Sequence, residues 1–454
     1  MPDQKNLKRA YTKLLEGKGI ETLLLRGASK SLFVQVVGTG LAFILQIFLA
    51  RILGVQNFGD YVYVLTWLNI LVLIGKLGYD TATLRYIPKY EVEKNWKGIK
   101  GFLIQSLKFV ILSSSIVSII MVFFISFNSV YFSSSLNKVF YIAALLIPPL
   151  SLLQLYRARL RSLKKVLSAQ VPMLIIRPLI LMVIVGVAYV FSKDNITASQ
   201  VMGINLVAVI VALGISIWFF RRNLFTEIAF ENPTFKTKEW LKVSIPLLFI
   251  SGMQVLMENM DVIMLGSLIN TTDAGIYSSA QRISTLVTFG LIAVNMMVAP
   301  MISELYYSGR IKDLQRIVTL ASWGIFGVTS LISIVLVILG KWLLSFFGEV
   351  FTIAYLPLLI LLVGNIINAL CGSVGSILNM TGNQSISAKI VTSALIINFL
   401  LNLLLIPKWG ISGAALATTV TVIYWNIFMT LVVIRKLSIN PTIFRKRVIY
   451  RTDV

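Results

Sequence analysis

Apolar residues dominate twelve stretches of this chain, at roughly residues 31–50, 60–82, 104–126, 137–156, 167–190, 199–220, 243–266, 276–300, 317–340, 352–375, 386–406 and 411–434. Each is near the ~20 residues that a helix needs to cross the hydrocarbon core of a bilayer. A spanning segment has no water to satisfy its backbone, so stretches of this length read as helices. The pattern predicts an all-α polytopic membrane protein whose roughly 12 transmembrane helices use nearly the whole length.

Charge orients these helices. Of 41 Lys and Arg residues, 32 lie before the first span, in alternate connections or after the last span, counting Lys389 at the inner end of the eleventh, while the other connections hold only Arg51, Lys138, Lys193, Lys341 and Lys408. Lys and Arg are enriched on the cytoplasmic side of membrane proteins, so both termini are expected in the cytoplasm, with the chain multi-pass in the plasma (inner) membrane. Within residues 1–30, Leu7, Tyr11, Leu14, Leu15 and Leu23 alternate with Lys8, Arg9, Lys13, Lys18 and Arg26, which reads as an amphipathic segment lying in the inner interface. Residues 435–454 form a basic cytoplasmic tail.

Composition narrows the function classes. With 57% apolar and 13% charged residues, little chain is left for a soluble catalytic domain. The net charge of +23 is spread over several loops beside the bilayer, so anionic lipid and topology explain it, and nucleic acid is not expected as a partner. There is no His, and the single Cys371 sits in an apolar run, which leaves no zinc site or cysteine nucleophile to propose. No G-x-x-x-x-G-K-[ST] loop occurs. The expectation is a protein that is not an enzyme and carries no cofactor.

The longest polar interruption, residues 221–242, separates spans 1–6 (31–220) from spans 7–12 (243–434). Each half opens with a helical hairpin whose outer turn ends in a similar fragment. These are Phe58-Gly59-Asp60-Tyr61 and Ala274-Gly275-Ile276-Tyr277, 216 residues apart. Six spans per half give both halves the same orientation, as in transporters built from parallel repeats.

A longer signature follows late in the chain. Gly375-Ser376-Ile377-Leu378-Asn379-Met380-Thr381-Gly382-Asn383-Gln384 precedes Asn398, Asn402 and then Pro407-Lys408-Trp409-Gly410-Ile411-Ser412-Gly413-Ala414-Ala415. Together with Ala50-Arg51-Ile52-Leu53-Gly54, Leu77-Gly78-Tyr79-Asp80 and Asp261-Val262-Ile263-Met264-Leu265-Gly266, it resembles the polysaccharide and oligosaccharide flippases (Wzx-type, RfbX-like) of the MOP superfamily. That superfamily also holds the MATE drug exporters and the lipid II flippase. The resemblance implies two six-helix lobes around a central cavity that opens alternately to each side. The residues themselves give Pro407 the role of stopping the eleventh helix, let Gly410 and Gly413 make a tight outer turn, and place Asn398 and Asn402 on one helix face to bond another helix.

Charges inside spans mark where transport chemistry could lie, because each costs at least ~2.5–3.5 kcal/mol unless it meets water or a partner. Asn69, Lys76, Asp80 and Thr83 fall within about 40° of one face of the second span at 100° per residue. They line a cavity, or Lys76 and Asp80 neutralise each other. On the seventh span Gln254, Glu258 and Asp261 share a face; the eighth carries Arg282 beside Gln281, Thr285, Thr288 and Asn295. Counting outward from a turn centred near Thr271 sets Arg282 level with Glu258 and Asp261. One acid is then surplus and available to H⁺ or Na⁺, or the pair is a static lock on the hairpin. Arg177, just before Pro178 in a span without an acid, suits bidentate binding of phosphate, or pairs with a distant acid such as Asp80.

The sequence thus points to a secondary transporter that flips a polyprenyl-(pyro)phosphate-linked oligosaccharide or polysaccharide repeat unit from the cytoplasmic to the outer leaflet by alternating access. Arg177, Arg282, Lys76, Asn69 and Asn295 would face the cargo, and Glu258, Asp261 and Asp80 would respond to the coupling ion. Besides the lipid bilayer, glycosyltransferases or a polymerase of the same pathway are the expected partners. The competing readings are a MATE-type exporter of organic cations, for which acids and aromatics would suit the cargo better than these cations, and a non-transporting scaffold of envelope assembly.

Overall fold

The computed structural model describes residues 20–128, 133–192, 196–225, 227–228 and 231–444. The amphipathic segment expected over residues 1–30 lies outside these as far as residue 19, and so does the tail from residue 445. The described chain is helical. Its elements are α1 (Ile20–Gly75), α2 (Tyr79–Val92), α3 (Trp96–Phe127), α4 (Ser134–Ser162), α5 (Val166–Val171), α6 (Arg177–Ser192), α7 (Ala198–Asn223), α8 (Thr237–Leu268), α9 (Thr271–Ser284), α10 (Thr288–Tyr307), α11 (Ile311–Ser345), α12 (Tyr355–Cys371), α13 (Val374–Met380) and α14 (Gln384–Leu437). Ten helical segments among the described residues are long and apolar enough to cross a membrane. Two of them are double: α1 breaks at Gly54 (φ 68°) and α14 at Gly410 (φ 53°), left-handed values that glycine reaches without a Cβ clash. Counting both arms restores the twelve crossings. Pro407 does not itself end the eleventh span, since α14 runs through it and the bend falls three residues later at Gly410.

The chain forms two compact units that do not coincide with its two sequence halves. Unit 1 takes Met1–Phe48 and Leu71–Leu248; unit 2 takes Leu49–Ile70 and Phe249–Val454. The stretch Leu49–Ile70 around the turn of the first hairpin thus packs with the second half of the chain.

Unit 1 is built round aromatic rings. On α2, Tyr79, Ala82, Tyr86, Ile87 and Tyr90 recur at helical spacing and bury one face against Phe102 of α3 and Trp240 of α8. Trp240 Nε1 donates to the Tyr90 hydroxyl at 3.0 Å, which satisfies both polar tips inside the core. Gly78 (φ 72°) lets the backbone press on α8; a Cβ there would meet Ser244 O at 2.1 Å. The chain leaves the helix at Gly75 and re-enters at Tyr79, with Leu77 also at positive φ. That break corrects the uniform second span read from the sequence, because Asn69 and Asp80 no longer share one continuous helix. Between α5 and α6, Pro172–Ile176 makes a π-helical turn closed by Arg177 N–H to Pro172 O. Pro178 has no N–H to give in this region, so a widened turn is a natural accommodation. The turn lies against Gly38 of α1, where a Cβ would meet Leu174 Cβ at 2.8 Å.

Unit 2 is assembled at glycines. The two repeated fragments touch: a Cβ on Gly59 would meet Thr271 O at 2.2 Å, and one on Gly275 would meet Gly59 Cα at 2.7 Å. Thr271 Oγ1 donates to Asp60 Oδ1 at 2.6 Å beside them, and Tyr63 bonds Ser267 at 2.8 Å while its ring covers Gly266. Gly413 brings the second arm of α14 onto the first, with Leu405 O at 2.3 Å from its would-be Cβ.

Candidate functional site

The deepest charge in unit 2 is Asp261 of α8, only 1% exposed. Its Oδ2 accepts from Tyr277 Oη of α9 at 2.6 Å and also from Thr418 Oγ1 of the second arm of α14. Its Oδ1 accepts from Asn402 Nδ2 of the first arm at 2.7 Å. Asn402 Nδ2 also reaches Asn398 Oδ1 at 3.1 Å, and Asn402 Oδ1 is buried without a partner. Four helical segments therefore converge on one carboxylate through neutral groups, and they leave an oxygen-rich centre with an unused acceptor. Such a centre suits a proton on the carboxyl or a small hard cation among oxygens.

This corrects the expected pairing of Arg282 with Asp261. The α8–α9 turn is centred on residues 269–270, not on Thr271, since α8 ends at Leu268 and α9 starts at Thr271. The register moves accordingly: Asp261 meets Tyr277, and Gln281 Nε2 donates to the backbone oxygen of Glu258 at 3.1 Å. Arg282 comes one turn later on an exposed face, with Glu258 as its electrostatic neighbour. Glu258 is also exposed and accepts from Gln254 Nε2 at 3.3 Å. The two acids of the seventh span are thus in different surroundings. Asn295 on α10 is half-buried, and its Oδ1 has no partner.

In unit 1, Lys76 Nζ lies 2.7 Å from Asp80 Oδ2, so the self-neutralised alternative holds and these two do not stand as separate charges. Thr83 is fully buried and returns its hydroxyl to Tyr79 O at 2.6 Å, whereas Asn69 is exposed and belongs to unit 2. Fully buried Thr83 does not line a cavity with Asp80. Arg177 is half-buried, and its Nε donates to Asn205 Oδ1 of α7 at 3.1 Å. Asn205, itself buried in the next helix, is a local partner that a search restricted to acids could not find.

Two arginines escaped the sequence reading, which counted them among the basic loop residues: Arg159 is buried, and Arg157 is half-buried with its Nε sealed from solvent. Arg159 is 2% exposed; its Nη2 donates to Leu103 O at 2.7 Å and Ser106 Oγ at 3.0 Å, and the guanidinium lies 4.8 Å from the Tyr156 ring centre. Arg157 lies two residues earlier on the same helix, α4, and its Nη1 reaches Met173 Sδ at 3.5 Å. Their helix continues past the apolar stretch, and that extension is the one available signal.

Comparison with known proteins adds an independent line. The family described as polysaccharide biosynthesis protein matches residues 24–306, and the MatE family matches residues 246–404. An uncharacterized membrane protein of Methanocaldococcus jannaschii is 26% identical over 429 residues, covering 87% of this chain and 80% of that protein. The probable flippase AglR of Haloferax volcanii is 30% identical over 164 residues, 35% of this chain and 34% of its own. Among solved structures, the lipid II flippase MurJ in an inward closed conformation superposes with a TM-score of 0.68 at 15% identity, covering 89% of this chain and 87% of MurJ. The helical fold, the late signature and the family match converge: the chain belongs to the polysaccharide biosynthesis protein family, and its second half also matches the MatE family.

Proposed function

We propose that this protein flips a lipid-linked oligosaccharide or polysaccharide repeat unit from the cytoplasmic to the outer leaflet of the plasma membrane, with both termini cytoplasmic, and that cation binding at Asp261 drives the cycle. Family membership supports the cargo class. The lipid tail stays in the bilayer while sugar and phosphate cross, and the exposed Arg282 and half-buried Arg177 are the cations offered to the anionic group.

The observation that carries the coupling is the Asp261 cluster. A carboxylate removed from water is costly unless it is neutralised or fully bonded. Here the neutral donors come from α9 and from both arms of α14, so adding H⁺ or Na⁺ changes what each of those segments must satisfy. A ligand shifts a conformational equilibrium only through such a difference in interaction between states. H⁺ would occupy a carboxyl oxygen; Na⁺ would take Asp261, Asn398, Asn402 and Thr418 oxygens. Glu258, in contact with solvent-exposed surface, is assigned to Arg282 instead.

The reading is tested with lipid-linked sugar in proteoliposomes under separately imposed H⁺ and Na⁺ gradients. Transport by the wild type should follow one of them; Asp261→Asn should lose that dependence, and Glu258→Gln should keep it. Gradient-dependent transport by Asp261→Asn at the wild-type level would reject Asp261 as the coupling group.

A further inference from the structure

Near the end of α4 that bears the basic connection, unit 1 holds a cavity of about 110 Å³ walled by Asp80, Thr81, Gln154, Arg157 and Arg161. Arg157 and Arg161 are one helical turn apart on α4 and repel each other. The acid in the wall does not neutralise them, because Asp80 is already held by Lys76 at 2.7 Å. Arg157 is the more telling of the two. A guanidinium carries five N–H donors, yet among the described residues no oxygen accepts from this one. Nη1 has only the weakly accepting Met173 sulfur at 3.5 Å, and Nε is buried with no acceptor. Arg159, between them in sequence, points elsewhere and spends Nη2 on Leu103 O and Ser106 Oγ. The pocket therefore pairs two positive charges and unspent donors with Gln154 and Thr81, which can give further hydrogen bonds. What completes such a site is an anion with several oxygens in one group.

We propose that this pocket binds the phosphate or diphosphate of a lipid headgroup, a capture site for the carrier end of the cargo at the basic face of unit 1, separate from Arg177 and Arg282. The inference rests on the lipid-linked cargo proposed above. Ala158 and Leu84 complete the wall, so an apolar chain attached to the phosphate meets apolar side chains at the same place.

The test uses the full chain in nanodiscs of neutral phosphatidylcholine, with geranylgeranyl diphosphate, geranylgeraniol and inorganic pyrophosphate as probes. The wild type should bind the prenyl diphosphate and not the alcohol. Arg157→Gln and Arg161→Gln should each weaken binding about tenfold, the loss expected for one charge-assisted contact, and Arg157→Lys should lose less. Lys238→Gln, an exposed base elsewhere in unit 1, should bind as the wild type does. Wild-type affinity in both glutamine variants, or an equal loss in Lys238→Gln, would overturn the pocket; Arg161 is exposed, so its variant remains informative even if Arg157→Gln fails to fold. Pyrophosphate bound as tightly as the prenyl diphosphate would overturn the lipid source and leave a site for free anion. Binding is measured without a gradient or a glycan. A protein that transports lipid-linked sugar but shows no effect of these arginines loses only this inference, and one that binds but moves no sugar loses only the transport reading.

Discussion

At the scale of the residue, the decisive feature is which groups Asp261 touches. Tyr277 donates to it directly, whereas Arg282 lies a turn further along α9 with Glu258 as its electrostatic neighbour. Residues in contact couple energetically, and residues without shared partners add. A double-mutant cycle on thermal unfolding in detergent should therefore give a coupling of roughly 0.5–3 kcal/mol between Asp261→Asn and Tyr277→Phe, and close to zero between Asp261→Asn and Arg282→Gln. Strong coupling in the second cycle would restore the ion pair that the hairpin register argues against. The two acids of one helical face, alike in sequence, are separated by burial alone: Asp261 is sealed among three hydrogen-bond donors and Glu258 is open.

At the scale of the element, glycine decides how closely helices and turns approach. Gly59 sits where a Cβ would strike the Thr271 backbone, and backbone cannot move aside as a flexible side chain can. Gly40 is also in α1, yet a Cβ there would meet nothing within 4 Å. Gly59→Ala should destabilise by about 1–3 kcal/mol through overpacking, while Gly40→Ala should be neutral or stabilise by up to ~1 kcal/mol through helix propensity. Melting temperatures of the two purified variants separate the cases, and equal shifts would remove the close contact as the reason for glycine at position 59. The same logic explains why the turn of the first hairpin carries a glycine fragment resembling that of the second: the two fragments pack on each other.

At the scale of the whole molecule, the charge asymmetry of the connections predicts the orientation in the membrane, with both termini cytoplasmic. Ser133, Asn270 and Asn95 are poor places for a reporter cysteine because their side chains accept the hydrogen bonds that cap α4, α9 and α3. Exposed neighbours serve better. In a Cys371→Ala background, Ser135→Cys should react with an impermeant thiol reagent in intact cells, and Asn232→Cys only after permeabilisation. Labelling of Asn232→Cys from outside would invert the topology and, with it, the side on which the Arg157 pocket receives lipid.

Much of this was legible in the chain itself, for reasons that are local. A run of apolar residues long enough to span a bilayer is a helix wherever it sits, so the twelve crossings followed from composition and length, and the glycines at 59, 275, 410 and 413 stood out because a residue without a Cβ suits a shared hairpin fragment and a tight turn. Partner choice was not local. A hairpin register depends on where the turn is centred, and a shift of about one helical turn, some 5.4 Å, exchanged Arg282 for Tyr277 opposite Asp261. The hydroxyl and amides that complete the cluster lie about 140 to 160 residues away, at Asn402 and Thr418. Burial of Arg159 and half-burial of Arg157 depended likewise on how α4 packs, since a base just past an apolar stretch reads as a loop residue until its helix is seen to continue into the core. Only the tertiary structure could separate charges that orient the protein from charges that equip it.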